Sequence, residues 1–109
     1  MRDQRHYYVY MLTSSSRRAL YTGVTNSLRG RVYDHRHADE GYTAQYKAFR
    51  LVHYEVFVDI NNAIAREKEI KGWRREKKDR LIRRYNPTWR DLATDFGLES
   101  WPPPDARRH

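Results

Sequence analysis

Two short stretches carry side chains that packing alone would not select. In "SLRGRVYDH" Leu28, Arg31, Val32 and His35 recur at i, i+3, i+4 and i+7. One helical face therefore carries two apolar side chains, a guanidinium and an imidazole. In "NAIAREKEIK" Ala63, Glu67 and Ile70 share a face, so a carboxylate interrupts a second apolar stripe. A guanidinium fixed on a helix offers parallel N–H donors to phosphate or carboxylate oxygens. A carboxylate on another helix offers a hard oxygen ligand to a divalent ion. An imidazole can position or move a proton. Each also has an ordinary reading. Arg31 can be a surface ion-pair partner with its stem over apolar surface. Glu67 can pair with Lys71 at i+4, an exposed pair worth ~0.3 kcal/mol.

Those helices need a frame to hold them. "HYYVYML", His6 to Leu12, is rich in Tyr and Val and reads as a strand. Alternation places Tyr8, Tyr10 and Leu12 on one face and Tyr7, Val9 and Met11 on the other. "TSSSRRA" reads as a turn, and "LYTGV", Leu20 to Val24, as a second strand. The short connection predicts an antiparallel hairpin with Tyr10 and Tyr21 as cross-strand neighbours. Gly23 suggests a close backbone approach or an unusual dihedral. Thr25 or Asn26 is the expected cap of the first helix, which runs to about Ala38. Asp39 to Arg50 reads as a loop, with Gly41 as a helix stop.

"LVHYEVF", Leu51 to Phe57, is the third expected strand. "DINN" offers caps for a helix over about Asn62 to Lys71, which Gly72 ends or kinks. "WRREKKDRLIRRY" predicts a further basic helix anchored by Trp73, Leu81 and Ile82, and Asn86-Pro87 ends it. "TWRDLATDFGLES" adds a short helix or turn. The order β-β-α-β-α-α predicts an α+β domain, a small, mostly antiparallel three-stranded sheet flanked by helices. A single domain is expected over 1–94. Residues 95–109 hold no core-forming pattern beyond Trp101 and read as a mobile tail.

Composition narrows the partners. The 109 residues carry a net charge of +8 and no cysteine. Disulfides and thiolate metal sites are excluded, which fits a reducing cytoplasm. No stretch reaches the ~18 apolar residues of a membrane span, and no signal peptide is evident. Residues 66–84 hold ten Lys and Arg against four acids. The surplus suits a phosphate-backbone track, with Lys71, Arg74, Arg75, Lys77 and Lys78 as candidates. Pairs such as Glu67/Lys71 and Glu76/Arg80 also suit a solvated helix face. Tyr42, Tyr46 and Lys47 could stack on bases or simply cover the core. His6, His37, His53 and His109 show no metal-ligand spacing.

With the elements placed, the chain resembles the GIY-YIG nuclease superfamily. It is most similar to small stand-alone members, akin to the nuclease domain of the excision-repair incision subunit. The first motif falls on Tyr8-Val9-Tyr10 and the second on Tyr21-Thr22-Gly23. The helical arginine falls on Arg31, and the Tyr-or-His one turn later on His35. The metal-binding glutamate falls on Glu67, four residues after Ala63, and the late asparagine on Asn86. The ordered set over Tyr7 to Leu92 carries the resemblance, since each tripeptide alone is common. The departures are Tyr8 in place of Gly, Thr22 in place of Ile, and Val24 where many members carry Lys.

The resemblance implies a divalent-metal-dependent endonuclease, with Mg²⁺ or Mn²⁺ on Glu67 and DNA more than RNA as substrate. Damaged or branched DNA in repair or recombination is the implied context, for a monomer or weak homodimer. Arg31 would bind phosphate oxygens, and Tyr10 or Tyr21 would act as general base, with His35 assisting. Tyrosine has an ordinary pKa of ~10 and needs nearby cations for that task. Without the resemblance both tyrosines read as sheet aromatics, and Asn86 as a helix-end residue. The alternative is a non-catalytic DNA- or RNA-binding module on the same scaffold.

Overall fold

The computed structural model describes residues 6–36 and 50–93. β1 (Tyr7–Thr13) and β2 (Leu20–Thr25) form a hairpin followed by α1 (Leu28–Arg36). β3 (Arg50–Phe57), α2 (Ile60–Lys71) and α3 (Arg75–Tyr85) complete the order β-β-α-β-α-α. The sheet order is β2-β1-β3, and both pairings are antiparallel. The expected α+β architecture is present. The loop with Tyr42, Tyr46 and Lys47, His37, and the segment 95–109 lie outside the described residues.

β1 is the central strand because both of its faces are apolar. Val9 and Met11 join Val52, Ala63, Ile70, Ile82 and Trp89 in one cluster, beneath α2 and α3. Tyr10 and Leu12 join Ala19, Leu28, Val32 and Leu51 in the other, beneath α1. The alternation along "YYVYML" thus divides the core into two layers.

The pairing with β3 shifts between Met11 and Leu12. Leu12 faces Leu51, but Met11 faces His53, so Val52 is an extra residue. Without this bulge His53 would follow Leu51 onto the Tyr10 face. With it, Tyr54 sits opposite Tyr10, and His53 and Glu55 lie on the other side with Met11 and Val9.

Several caps differ from expectation. Ser27, not Thr25 or Asn26, caps α1, since its Oγ accepts from the Gly30 amide at 3.3 Å. Thr25 Oγ1 instead accepts from the Ser27 amide at 3.0 Å and shapes the preceding turn. α2 begins earlier than expected because Asp59 Oδ1 accepts from the Asn61 amide at 2.8 Å. Gly72 ends it at φ −79°, an ordinary right-handed conformation. Trp73 therefore lies in the break between helices rather than on α3.

Candidate active site

Tyr10 and Tyr21 share the face beneath α1, although they are not directly opposed. Tyr10 pairs with Gly23 and Leu12 with Tyr21, so the two tyrosines are diagonal neighbours. Their ring centroids are 6.1 Å apart and tilted by 53°. Tyr10 is buried and Tyr21 partly so. The diagonal works because Gly23 has no side chain. A Cβ there would stand 2.6 Å from the Tyr10 hydroxyl oxygen and 2.8 Å from Cζ. Gly23 is thus required by the phenol lying over it.

Burial pushes the Tyr10 hydroxyl well above the ordinary tyrosine range. Tyr21 adds to this through charge and a shared hydrogen bond, Arg31 opposes it, and Glu67 adds a smaller upward push. Tyr10 therefore keeps its proton and acts as a donor. Tyr21 on β2 lies beside Tyr10 with ring centroids 6.1 Å apart, Arg31 stands on α1 over the same face, and Glu67 stands on α2, which covers the opposite face of the sheet.

Arg31 does not lie within the apolar stripe of α1. Leu28 and Val32 are buried, whereas the Arg31 side chain is 51 % exposed, with Asp34 at 3.9 Å. The helix buries two residues of the face and leaves the cation at its rim. His35 falls on the last turn of α1, and its side chain lies outside the described part of the structure. Glu67 is inside its stripe, with its side chain 14 % exposed and Oε2 2.7 Å from Lys71 Nζ. The ordinary i,i+4 pair thus exists in a carboxylate that is also largely buried.

The remaining motif residues mostly shape the scaffold. Val9 and Thr22 are buried, and Tyr8 packs beside the Tyr10 cluster. Val24 packs against the Val9 cluster, so position 24 points away from the tyrosines. Asn86 commits its whole amide. Nδ2 donates to the Val52 and Arg90 carbonyls at 3.0 and 2.9 Å, and Oδ1 accepts from the Arg90 amide at 3.2 Å. It ties the end of α3 to the bulge in β3.

The five cations expected to meet nucleic acid separate in the structure. Lys71 is paired with Glu67. Arg75 pairs with Asp79 at 2.7 Å and donates to the Arg17 and Arg18 carbonyls, clamping α3 to the β1–β2 turn. Its guanidinium is engaged in structure rather than presented to a ligand. Arg74 and Lys77 are exposed, and Lys78 is partly so. The sequence reading placed Arg80 only in a pair with Glu76, which does not form among the described residues, and did not single out Arg83 and Arg84, although Trp73, Lys77, Arg80 and Arg84 follow a near-helical spacing. It also missed the chain His53–Glu55–Arg66–Glu69. Glu55 receives His53 at 2.9 Å and Arg66 at 2.8 and 3.0 Å, and Arg66 also reaches Glu69 at 2.8 Å.

Comparison with known proteins places this arrangement. The family model of the GIY-YIG catalytic domain matches residues 6–86. The chain belongs to the GIY-YIG family. It is similar to UPF0213 proteins, which are small stand-alone members of that family. A Haloquadratum walsbyi relative is 42 % identical over 78 residues, covering 70 % of this chain and 85 % of the relative. A Natronomonas pharaonis relative is 44 % identical over 78 residues, covering 70 % and 89 %. The solution structure of a UPF0213 protein from Bacillus halodurans aligns with TM-score 0.53 at 28 % identity, over 80 % of this chain and 93 % of that one. The GIY-YIG domain is a nuclease fold, which points to nucleic acid as the class of substrate.

The donor set suits a hard divalent ion. Among the described residues no group of three His, Cys, Asp or Glu gathers as a metal cluster. Mg²⁺ does not need one, because it keeps most of its waters and binds through one or two carboxylates. The largely buried Glu67 carboxylate fits that demand. Among the described residues no helix is long and apolar enough to cross a membrane.

Proposed function

We propose that the chain is a divalent-metal-dependent endonuclease that hydrolyses phosphodiester bonds in DNA. The supporting observation is a GIY-YIG catalytic domain that carries adjacent Tyr10 and Tyr21 rings, an exposed Arg31 guanidinium on the helix over them and a largely buried Glu67 carboxylate. Phosphodiester hydrolysis needs a proton acceptor for the attacking water and positive charge for the phosphate oxygens. Tyr10 is buried, whereas Tyr21 is partly exposed and open to a water, so Tyr21 is the tyrosine that takes the proton from water. Tyr10 donates its hydrogen bond toward Tyr21 and fixes its direction. Arg31, at the rim, grips phosphate oxygens with two N–H groups. His35 follows one turn later on α1 and assists proton movement. Glu67 would hold Mg²⁺ or Mn²⁺, which supplies further positive charge beside the phosphate when bound.

One such site cuts one strand per encounter, so cutting both strands takes two protomers or two binding events, and a monomer or weak homodimer is the proposed state. Branched or damaged DNA in cytoplasmic repair or recombination is the proposed context. Cleavage of a labelled panel of single-stranded, duplex, flap and branched DNA, with Mg²⁺, Mn²⁺ or EDTA, tests this reading. Cutting that requires the metal supports it, and binding without cutting under every condition overturns it.

One observation favours a second reading, a non-catalytic nucleic-acid-binding module. Lys71 already neutralises Glu67 at 2.7 Å, as it would in a scaffold without a metal. Binding without cutting would establish that reading.

A further inference from the structure

A second basic feature lies apart from the tyrosines. Trp73, Lys77, Arg80, Leu81, Arg83 and Arg84 line a groove of about 660 Å³ along α3. Its floor is apolar, since Trp73 and Leu81 pack against the Val9 cluster. Its walls are cationic. Three of the four acids between 66 and 84 are taken by other cations, Glu67 by Lys71, Glu69 by Arg66 and Asp79 by Arg75. Among the described residues no ion pair involves Lys77, Arg80, Arg83 or Arg84.

The structure therefore sorts the basic segment into two kinds of cation. Arg66, Lys71 and Arg75 hold the scaffold. Lys77, Arg80, Arg83 and Arg84 are in no ion pair among the described residues, and Arg84 lies over the Tyr85 ring at 5.7 Å. Lys77 is further directed by Trp73, with Nζ 4.4 Å from the ring centroid. Arg66 lies 5.2 Å from the same ring, so Trp73 orders two cations rather than offering a bare surface for stacking a base. The groove presents charge and apolar stem surface.

We propose that this groove is an exosite for the phosphodiester backbone of the bound nucleic acid, beyond the bond that is cut. This rests on the nuclease reading for its substrate, but not on catalysis. α3 covers the Val9 face and the tyrosines lie on the other. A flexible single strand thus touches both by passing around the domain, which a stiff duplex cannot do. The exosite contributes affinity that is independent of sequence and strongly dependent on salt.

The test is binding of a labelled single-stranded DNA of ~30 nucleotides, in EDTA so that the probe survives. Wild type is compared with the triple variant Lys77→Gln, Arg80→Gln, Arg84→Gln. A charge-matched control carries Arg18→Gln, Arg29→Gln and Lys68→Gln, all exposed and outside the groove. Three lost phosphate contacts on a single strand reduce the slope of log K against log salt by about 2.1. Between 50 and 200 mM salt the groove variant should then lose about 20-fold less affinity than wild type. The matched control should keep the wild-type slope.

Equal slopes in all three proteins overturn the exosite, as do equal losses in both variants, which would report net charge alone. Loss of binding to phosphatidylserine vesicles with DNA binding intact would assign the groove to a membrane surface and also overturn it. Saturating cleavage rates keep the two claims separate. Unchanged slopes with active cleavage refute the exosite only. A groove-dependent slope without cleavage refutes the catalytic reading only.

Discussion

Replacing Gly23 with alanine tests the geometry that brings the tyrosines together. The added Cβ would meet the Tyr10 hydroxyl oxygen at 2.6 Å, Cζ at 2.8 Å and Cε1 at 3.0 Å. Non-bonded carbons are comfortable at about 3.5–4.0 Å, so the ring must withdraw by close to an ångström. It has little room to do so, because Tyr10 is 1 % exposed within the cluster of Leu12, Leu28, Val32 and Leu51. Overpacking of this kind costs roughly 1–3 kcal/mol, partly offset by about 0.4–1 kcal/mol from a less flexible unfolded chain. A net loss of about 1–2 kcal/mol lowers Tm by roughly 5–15 °C in a domain of this size. Thermal unfolding followed by circular dichroism reads it directly. The cost should largely vanish in a Tyr10→Leu background, where no phenol lies over the strand. A Gly23→Ala protein as stable as wild type, or equally destabilised with Tyr10→Leu, would refute the argument.

Asn86→Ala leaves the Val52 and Arg90 carbonyls and the Arg90 amide without their partner. Denaturant unfolding should show a loss of about 2–4 kcal/mol, and a loss below about 1 kcal/mol would contradict the structural role. Burial pushes the Glu55 carboxyl up, but its bonds with His53 and Arg66 outweigh this and hold it at about 2. A lowered carboxyl stabilises the fold above its ordinary value of 4.5 and loses that contribution as pH falls toward about 2. Between those values wild type should lose about 3 kcal/mol through this group, and Glu55→Gln none of it, by urea unfolding across the range. Tyr21→Phe should slow cleavage roughly 10²–10⁴-fold, the worth of a general base. Tyr10→Phe, which removes one directing hydrogen bond, should slow it only roughly fivefold to tenfold. The reverse order would exchange their roles.

Elements governed by local pattern were legible in the sequence. The period-two alternation of "YYVYML" placed Val9 and Met11 opposite Tyr10 and Leu12, and both layers exist. Features set by long-range contact were hidden. The bulge at Val52 is invisible because both neighbours in "LVHYEVF" suit a strand, and only the pairing with β1 decides the register. The diagonal placement of Tyr10 and Tyr21 depends on that same kind of register. Spacing correctly put Arg31 one turn from Leu28. It could not say that α1 would bury Leu28 and Val32 and leave the guanidinium at the rim.

The basic segment shows the same limit. Counting charges revealed the surplus, but not which cations the fold would consume. Arg75 is held by carbonyls 57 and 58 residues away in sequence, which no local pattern announces. Glu67 was legible twice over, as an i,i+4 partner of Lys71 and as a carboxylate in an apolar stripe. The structure contains both, since it is paired and largely buried.

The most direct test of the account is cleavage by Glu67→Gln beside wild type, with DNA binding measured on the same samples. The amide keeps the size of the side chain and removes the charge offered to Mg²⁺. The account predicts binding within a few-fold of wild type and cleavage abolished at every Mg²⁺ and Mn²⁺ concentration. Cleavage at the wild-type rate by Glu67→Gln would contradict it and place the chemistry elsewhere in the chain.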